Sequence, residues 1–401
     1  MAVVKRRLWV EELRLGMYVV ELDRPWTDTR FPLQGFVLST KAQLDILRDL
    51  CKEVYIDVER SSSLPSLGGV GRSDTDVRGG VVHAESETLE TEMPLAADLY
   101  AECLRLFDGW IQSIENNQVL EAPKLREAVA RLTTSVLRNP NALMLVSRLH
   151  EKGSAMLARA LDVSIYMIVF GRFLQLPRDD LELLGLTGLL QDVGKTRLPN
   201  EVLNKRGRLT REEVEIAKSH VKHSVEIVGS TEGLSFKLAE LVSLHHERQD
   251  GAGYPRGLKG SEIGLHGSIA AIVDSFDALT SARPYAPQLS PSDALGLLHK
   301  ARGTKFHGAL VEQFIQCIGA FPVGSLVELN TGEVGIVIAQ NLVRRLTPRV
   351  MVVLQADGNP KQPHLILDLA REPKSAEGET YRIRRTLEHG KVRIDPREFF
   401  I

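Results

Sequence analysis

The sequence predicts a mainly α protein: a helical body, preceded by a small α+β N-terminal domain and followed by a short C-terminal β appendix. Three observations predict this class. From Pro94 to about Phe321, apolar residues return at helical spacing, as in Leu99, Cys103, Leu104 and Phe107, and again in Leu125, Val129, Leu132, Val136 and Leu137. After Pro322 the apolar period drops to two. Before residue 60, short alternating runs surround one stretch of helical spacing.

Within residues 1–59, positions 15–22 and 36–38 read as strands, 41–50 as a helix and 54–57 as a closing strand. Residues 60–93 break the pattern with three serines at 61–63, Pro65 and three glycines between 68 and 71. Such a stretch has too little apolar surface for a core and is expected to be a flexible linker. Residues 94–321 form the helical domain, punctuated at Pro140, Pro177, Pro199 and Pro255. Residues 322–401 form the β-rich appendix and tail. Strands are expected at 325–329, 335–338 and 350–354, with a hairpin turn at 330–333.

The chain has 401 residues, 43% hydrophobic and 25% charged, which suits two or three globular domains. A net charge of −2 gives no electrostatic reason to expect nucleic acid or an anionic membrane as partner. Cys51, Cys103 and Cys317 are far apart and form no CxxC pair, so they are expected to be reduced, buried thiols. No apolar run is long enough to span a bilayer, and the start lacks the apolar core of a signal peptide. The expected location is the cytoplasm.

The most informative stretch runs from His245 to Pro255: His-His-Glu-Arg-Gln-Asp-Gly-Ala-Gly-Tyr-Pro. Neighbouring helical residues point about 100° apart, so one apolar face cannot absorb both imidazoles of His245 and His246. Two histidines converging near acids suggest a metal centre. Three other segments supply candidate partners. Asp192 ends a helix buried by Leu181, Leu184, Leu186 and Leu189, where a carboxylate needs either a metal or a partner such as Lys195. His220 and His223 share a face after a helix start at Thr210-Arg211-Glu212-Glu213. Asp274 lies among Ile269, Ile272, Val273 and Phe276, where a buried acid needs a cation or several donors. Lys195 and Arg283 are the phosphate-binding candidates, because fixed cations beside a metal suit a phosphodiester. Gly251, Gly253, Tyr254 and Pro255 make a turn that either ends the helix or lines the pocket.

Together, His245-His246-Glu247, Asp250-Gly251 and Gly253-Tyr254-Pro255 resemble the signature of the HD-GYP family, bacterial cyclic di-GMP phosphodiesterases with an all-helical HD-domain core. The resemblance runs from about Ser135 to Phe321 and includes residues 135–140 and 277–281. Residues 15–58 resemble the N-terminal domain of unknown function that often precedes this module. The resemblance implies two or three metals, commonly iron or manganese. It assigns one metal to Asp192, His220, His245 and His246. The first metal would use an early His, the His-Asp pair and Asp274. Here that pair is Gln191-Asp192, and Arg159 stands at the early histidine. Ala286 stands where the family usually has a basic residue, and His307 where an Asp is common.

Gln offers only a neutral amide oxygen and Arg repels a metal. The expectation is therefore one ion of iron or manganese, or none, with impaired turnover, since two-metal hydrolysis needs both ions. Arg159 is expected to pair Asp192 and Asp274 in the vacated position. Three readings stay open. In the first, the protein signals by binding cyclic di-GMP or a signalling partner protein. In the second, it is an active phosphodiesterase using the retained metal site, with Asp192 and Lys195 in catalysis and Lys195, Arg283, Gly253, Tyr254 and Pro255 on the substrate. In the third, it is a scaffold that binds no nucleotide. The long helices from Pro94 to Arg138 offer a homodimer interface.

Overall fold

In the computed structural model, residues 5–24, 36–38, 41–57, 81, 83–116, 121–149, 155–205, 207–281, 288–341 and 344–387 are described. The N-terminal strands β1 (Lys5–Trp9), β2 (Tyr18–Leu22), β3 (Phe36–Val37) and β4 (Glu53–Asp57) form an antiparallel sheet in the order β1-β4-β2-β3. Helix α1 (Lys41–Leu50) places Leu44 and Leu47 in one apolar cluster with Val19, Val54 and Ile56. The expected strand at 15–22 starts only at Tyr18, after the turn at Gly16. Strand β1 was not expected, because Lys5-Arg6-Arg7 carries no apolar alternation. It pairs with β4 from Lys5↔Asp57 to Trp9↔Glu53, and Arg7 forms an ion pair with Glu53.

The helical body comprises α2 (Leu89–Glu115), α3 (Ala122–Arg138), α4 (Pro140–Leu149), α5 (Ala155–Phe173), α6 (Arg178–Leu190), α7 (Asn200–Leu203), α8 (Arg211–Lys218), α9 (His220–Ser230), α10 (Phe236–Leu241), α11 (Gly264–Thr280), α12 (Pro291–Lys300) and α13 (Gly308–Ile318). The apolar stripes predicted on α2 and α3 face its core, with Leu104 and Leu137 partly buried at its edge. Helix α2 starts five residues before the expected domain boundary. The Thr88 hydroxyl caps it by accepting from Thr91 N, Leu89 and Met93 are buried, and Pro94 lies inside the helix. The end of the expected linker is also tied down. Val81 N donates to Gln175 O, Arg172 Nη2 to His83 O, and Ser86 N to Arg138 O. Residues 58–80 lie outside the described residues.

Glu92 fastens α2 to α3. It is fully buried and accepts from Arg138 Nε and Nη2 at 2.7 and 2.8 Å and from Ser135 Oγ at 2.6 Å. Asn139 then joins the next element, donating to Glu87 O and accepting from Asn141 N at the start of α4. Residues 135–140 therefore serve architecture. Arg138→Ala would leave the Glu92 carboxylate buried with one donor. Since the Arg138 side chain is 37% exposed, water would replace part of the lost bond. A loss of about 2 kcal/mol is expected in urea unfolding; an unchanged midpoint would contradict this role.

Strands β5 (Leu326–Leu329), β6 (Val334–Ala339), β7 (Arg349–Leu354), β8 (Pro360–Asp368) and β9 (Ile383–Thr386) form an antiparallel sheet in the order β8-β7-β6-β5-β9. Its pleat serves two cores. Ile336, Ile338, Met351 and Val353 join the helical core, while Val327, Val337, Val350 and Val352 fill a second cluster. The last two strands were not expected, because Lys361-Gln362-Pro363-His364 and Arg384-Arg385 interrupt any apolar alternation. All three cysteines are buried and free. Among the described residues, no helix is long and apolar enough to cross a membrane.

Candidate metal centre

Helix α6 is buried along Leu181, Leu184, Leu186 and Leu189, and its chain continues through Gln191 into a 3-10 turn at Val193–Arg197. Asp192 opens that turn, at the buried end of the helix. Gly194 then meets the start of α9. A Cβ there would lie 2.1 Å from His220 O and 2.4 Å from Ser224 N, both backbone atoms. Ser224 Oγ closes the junction, accepting from Gly194 N and donating to Gln191 O, each at 2.8 Å. This close approach sets His220 beside Asp192. Upstream, α8 starts at the expected N-cap Thr210, and the structure adds a capping box with Glu213.

His245 and His246 do not lie on a helix, contrary to the expectation. Helix α10 ends at Leu241, and both histidines occupy the turns that follow. Their imidazoles nevertheless converge. Among the described residues, Asp192, His220, His245 and His246 each offer a ligand atom within 4.8 Å of all the others. Asp192 Oδ1 stands 3.2 Å from His220 Nε2 and 3.6 Å from His245 Nε2, and those two nitrogens are 3.3 Å apart.

The outer contacts set the protonation. His220 Nδ1 lies 2.6 Å from Ala217 O, and His245 Nδ1 lies 2.9 Å from Val242 O. A carbonyl only accepts, so each Nδ1 carries the proton and each Nε2 turns a lone pair inward. Asp192 Oδ1 is buried and has no hydrogen-bond donor. Three electron-rich atoms thus face one another with no proton between them, which suits a cation. Burial pushes the His246 pKa down to about 2, so this imidazole is neutral too. Burial would raise the Asp192 pKa, but the positive charges of Lys195 and Arg159 counter it, and the carboxyl stays well below the usual range.

The Gly-Tyr-Pro loop folds back over the histidines. Tyr254 stacks on His246 with ring centroids 4.6 Å apart, and the Lys218 ammonium stands 5.5 Å from the Tyr254 ring. Gly253 has no room for a side chain, since its Cβ would fall 2.6 Å from His246 O and 2.5 Å from Arg248 N. Buried Glu247 fastens the loop, accepting from Arg256 N at 2.8 Å and Leu258 N at 2.9 Å. Removing it would orphan two backbone donors. Glu247→Ala is expected to cost about 3 kcal/mol in urea unfolding, with Glu247→Gln less affected. Equal losses for both would show that the carboxylate is not what holds the loop.

The other half of the expected centre holds an arginine. Arg159 Nη2 donates to Asp274 Oδ1 at 2.7 Å, and its Nε stands 3.0 Å from Asp277 Oδ2. Gln191 Nε2 also faces Asp274 Oδ1, at 3.2 Å, while its buried Oε1 has no partner. The expected pairing to Asp274 is therefore present, but the second acid is Asp277, not Asp192. Asp277 lies one helical turn beyond Asp274 on the same face of α11. Asp192 instead turns Oδ2 to Lys195 Nζ at 2.6 Å and Oδ1 to the histidines. Lys195 is thus both the ion-pair partner of Asp192 and partly exposed at the site.

Other expectations fare differently. His223 stays outside the site and faces Glu226 at 3.4 Å. His307 is a helix cap whose Nδ1 accepts from Leu310 N, the task an Asp performs at such a position, so its departure does not bear on the centre. Arg283 and Ala286 lie outside the described residues. Sequence reasoning missed Asp277, Glu247 and Ser224. The helical spacing of Asp277 from Asp274 was the one available signal.

Comparison with known proteins places this geometry in context. Residues 143–310 match the family described as HD domain, and residues 5–125 match a domain of unknown function, DUF3391. The cyclic di-GMP phosphodiesterase PA4108 of Pseudomonas aeruginosa is 32% identical over 91% of this chain and 89% of its own length. The cyclic di-GMP phosphodiesterase response regulator RpfG of Xanthomonas campestris is 36% identical over 36% of this chain and 38% of its own. A 3'3'-cGAMP-specific phosphodiesterase of Vibrio cholerae is 42% identical over 28% of this chain and 26% of its own. Among solved structures, the HDG"Y"P protein Bd1817 of Bdellovibrio bacteriovorus matches with a TM-score of 0.47 at 15% identity, over 77% of this chain and 98% of that one.

Proposed function

The chain belongs to the HD-GYP family of HD-domain proteins, and from that premise we propose that it is a cytoplasmic cyclic di-GMP signalling protein that binds the nucleotide with impaired hydrolysis. The observation that carries this reading is the asymmetry of the centre. One side brings together Asp192, His220, His245 and His246, with Nε2 lone pairs and an unbonded Oδ1 facing inward. The other side is filled by an arginine paired to two acids.

The four residues fit a single ion of iron or manganese. Three imidazoles and one carboxylate form a mixed set of the kind such ions accept. When bound, the ion supplies Lewis-acid charge to a phosphodiester oxygen. The chain's own groups do the rest. Carbonyls of Ala217 and Val242 orient His220 and His245, and Lys195 holds Asp192 ionised. Tyr254 offers an aromatic face beside His246, held by Gly253 and Glu247. Lys195 and Arg283 are assigned to the nucleotide phosphates.

The test is a calorimetric titration of manganese-loaded and chelator-treated protein with cyclic di-GMP and with 3'3'-cGAMP, since relatives are named for each. Binding of cyclic di-GMP that needs the metal, with intact nucleotide recovered, supports the reading. No binding of either nucleotide makes the protein a scaffold, and rapid product formation makes it an enzyme. The completeness of the four-ligand side is the observation that favours that enzyme alternative.

A further inference from the structure

Resting on the metal reading of the four-residue side, we propose that Arg159 is a built-in cation that stands in place of a second metal ion and presents a guanidinium to the phosphate of an anionic ligand. The family's two-metal arrangement does not fit this chain, and the residues show why. Asp274 is buried, and its Oδ1 receives two donors, Arg159 Nη2 and Gln191 Nε2. Asp277, also buried, faces Arg159 Nε. A metal in this position would meet a fixed positive charge, and the histidine ligands that would attract it are absent.

The acids explain why the arginine stays. Asp274 and Asp277 are buried carboxylates that need a cation beside them, and the Arg159 guanidinium supplies it, donating to Asp274 and standing 3.0 Å from Asp277 Oδ2. Yet Arg159 is not sealed in. Its side chain keeps 21% exposure beside a centre where the Asp274 side chain keeps 6% and Asp277 2%. The acids thus anchor one edge of the guanidinium and leave donors for a ligand on the other.

The exchange has a chemical consequence. A metal ion acidifies water and stabilises a leaving oxygen, whereas a guanidinium carries charge and hydrogen bonds but is not a Lewis acid. It preserves the attraction for a phosphodiester and removes half of the hydrolytic apparatus. The same substitution thereby accounts for retained binding and lost turnover.

Manganese content of the full chain, with electron paramagnetic resonance of the bound ions, tests this. The expected results are one uncoupled ion per chain in the wild type, none in His245→Ala, and two spin-coupled ions in Arg159→His combined with Gln191→His. Two ions in the wild type, or one ion that survives His245→Ala, would overturn the proposal. A second arm needs no ion at the four-residue side. Arg159→Ala strands Asp274 and Asp277, so its melting temperature should fall and millimolar manganese should restore it more than it raises the wild type. An unchanged melting temperature would overturn the proposal. Absence of metal from the wild type, together with a manganese-rescued Arg159→Ala, would instead remove the metal reading of the four-residue side and leave the cation role of Arg159 standing.

Discussion

Gly194→Ala is expected to lower stability by about 3 kcal/mol and to abolish metal binding at the same time. The added Cβ would sit 2.1 Å from His220 O and 2.4 Å from Ser224 N. Neither is the end of a flexible side chain, so relief requires α9 to move. That helix begins with His220, and the turn it would leave holds Asp192. The strain therefore falls on the distance between two ligands. Urea unfolding and equilibrium dialysis against manganese read both effects. A variant with wild-type affinity would show that the close approach does not set the site.

His220→Ala and His245→Ala are expected to weaken metal binding well beyond the roughly 10–100-fold typical of outer contacts, with His223→Ala as the contrast. His220 and His245 each turn Nε2 toward Asp192, whereas His223 faces Glu226 on the surface side of the same helix. Sequence spacing alone treats His220 and His223 as equals. Dialysis of the three variants separates them: loss in the first two and wild-type affinity in the third. Equal losses in all three would place the ion elsewhere.

Much of this centre was legible because its residues are awkward as packing. Adjacent histidines before a Gly-Tyr-Pro turn, and single acids inside apolar helices, stand out against the core pattern. What the pattern could not convey is which partner each group meets. Arg159 was expected to bridge Asp192 and Asp274, yet Lys195 lies three residues from Asp192 and takes its second oxygen, while Asp277 is a helical turn from Asp274. The role of Glu247 was hidden because its donors are nine and eleven residues downstream in a loop without a period. The reading of His245 and His246 as helical failed because apolar spacing persists into the turns after α10. In the fold, Pro94 reads as a boundary, but it lies inside α2, which starts after the Thr88 cap. Strands β1, β8 and β9 escaped because edge strands rich in Lys, Arg and Gln lack the alternation that marks the interior ones.

A centre that holds a cyclic dinucleotide without cutting it leaves the bound nucleotide intact. The most direct measurement is a single-turnover assay: radiolabelled cyclic di-GMP with excess anaerobically purified, manganese-loaded protein, followed by separation of bound and free nucleotide and chromatography of the bound fraction. Label is expected to be retained in a metal-dependent manner and recovered as intact cyclic di-GMP. Prompt conversion to linear or mononucleotide product would contradict it, showing that the arginine and glutamine do not disable the centre.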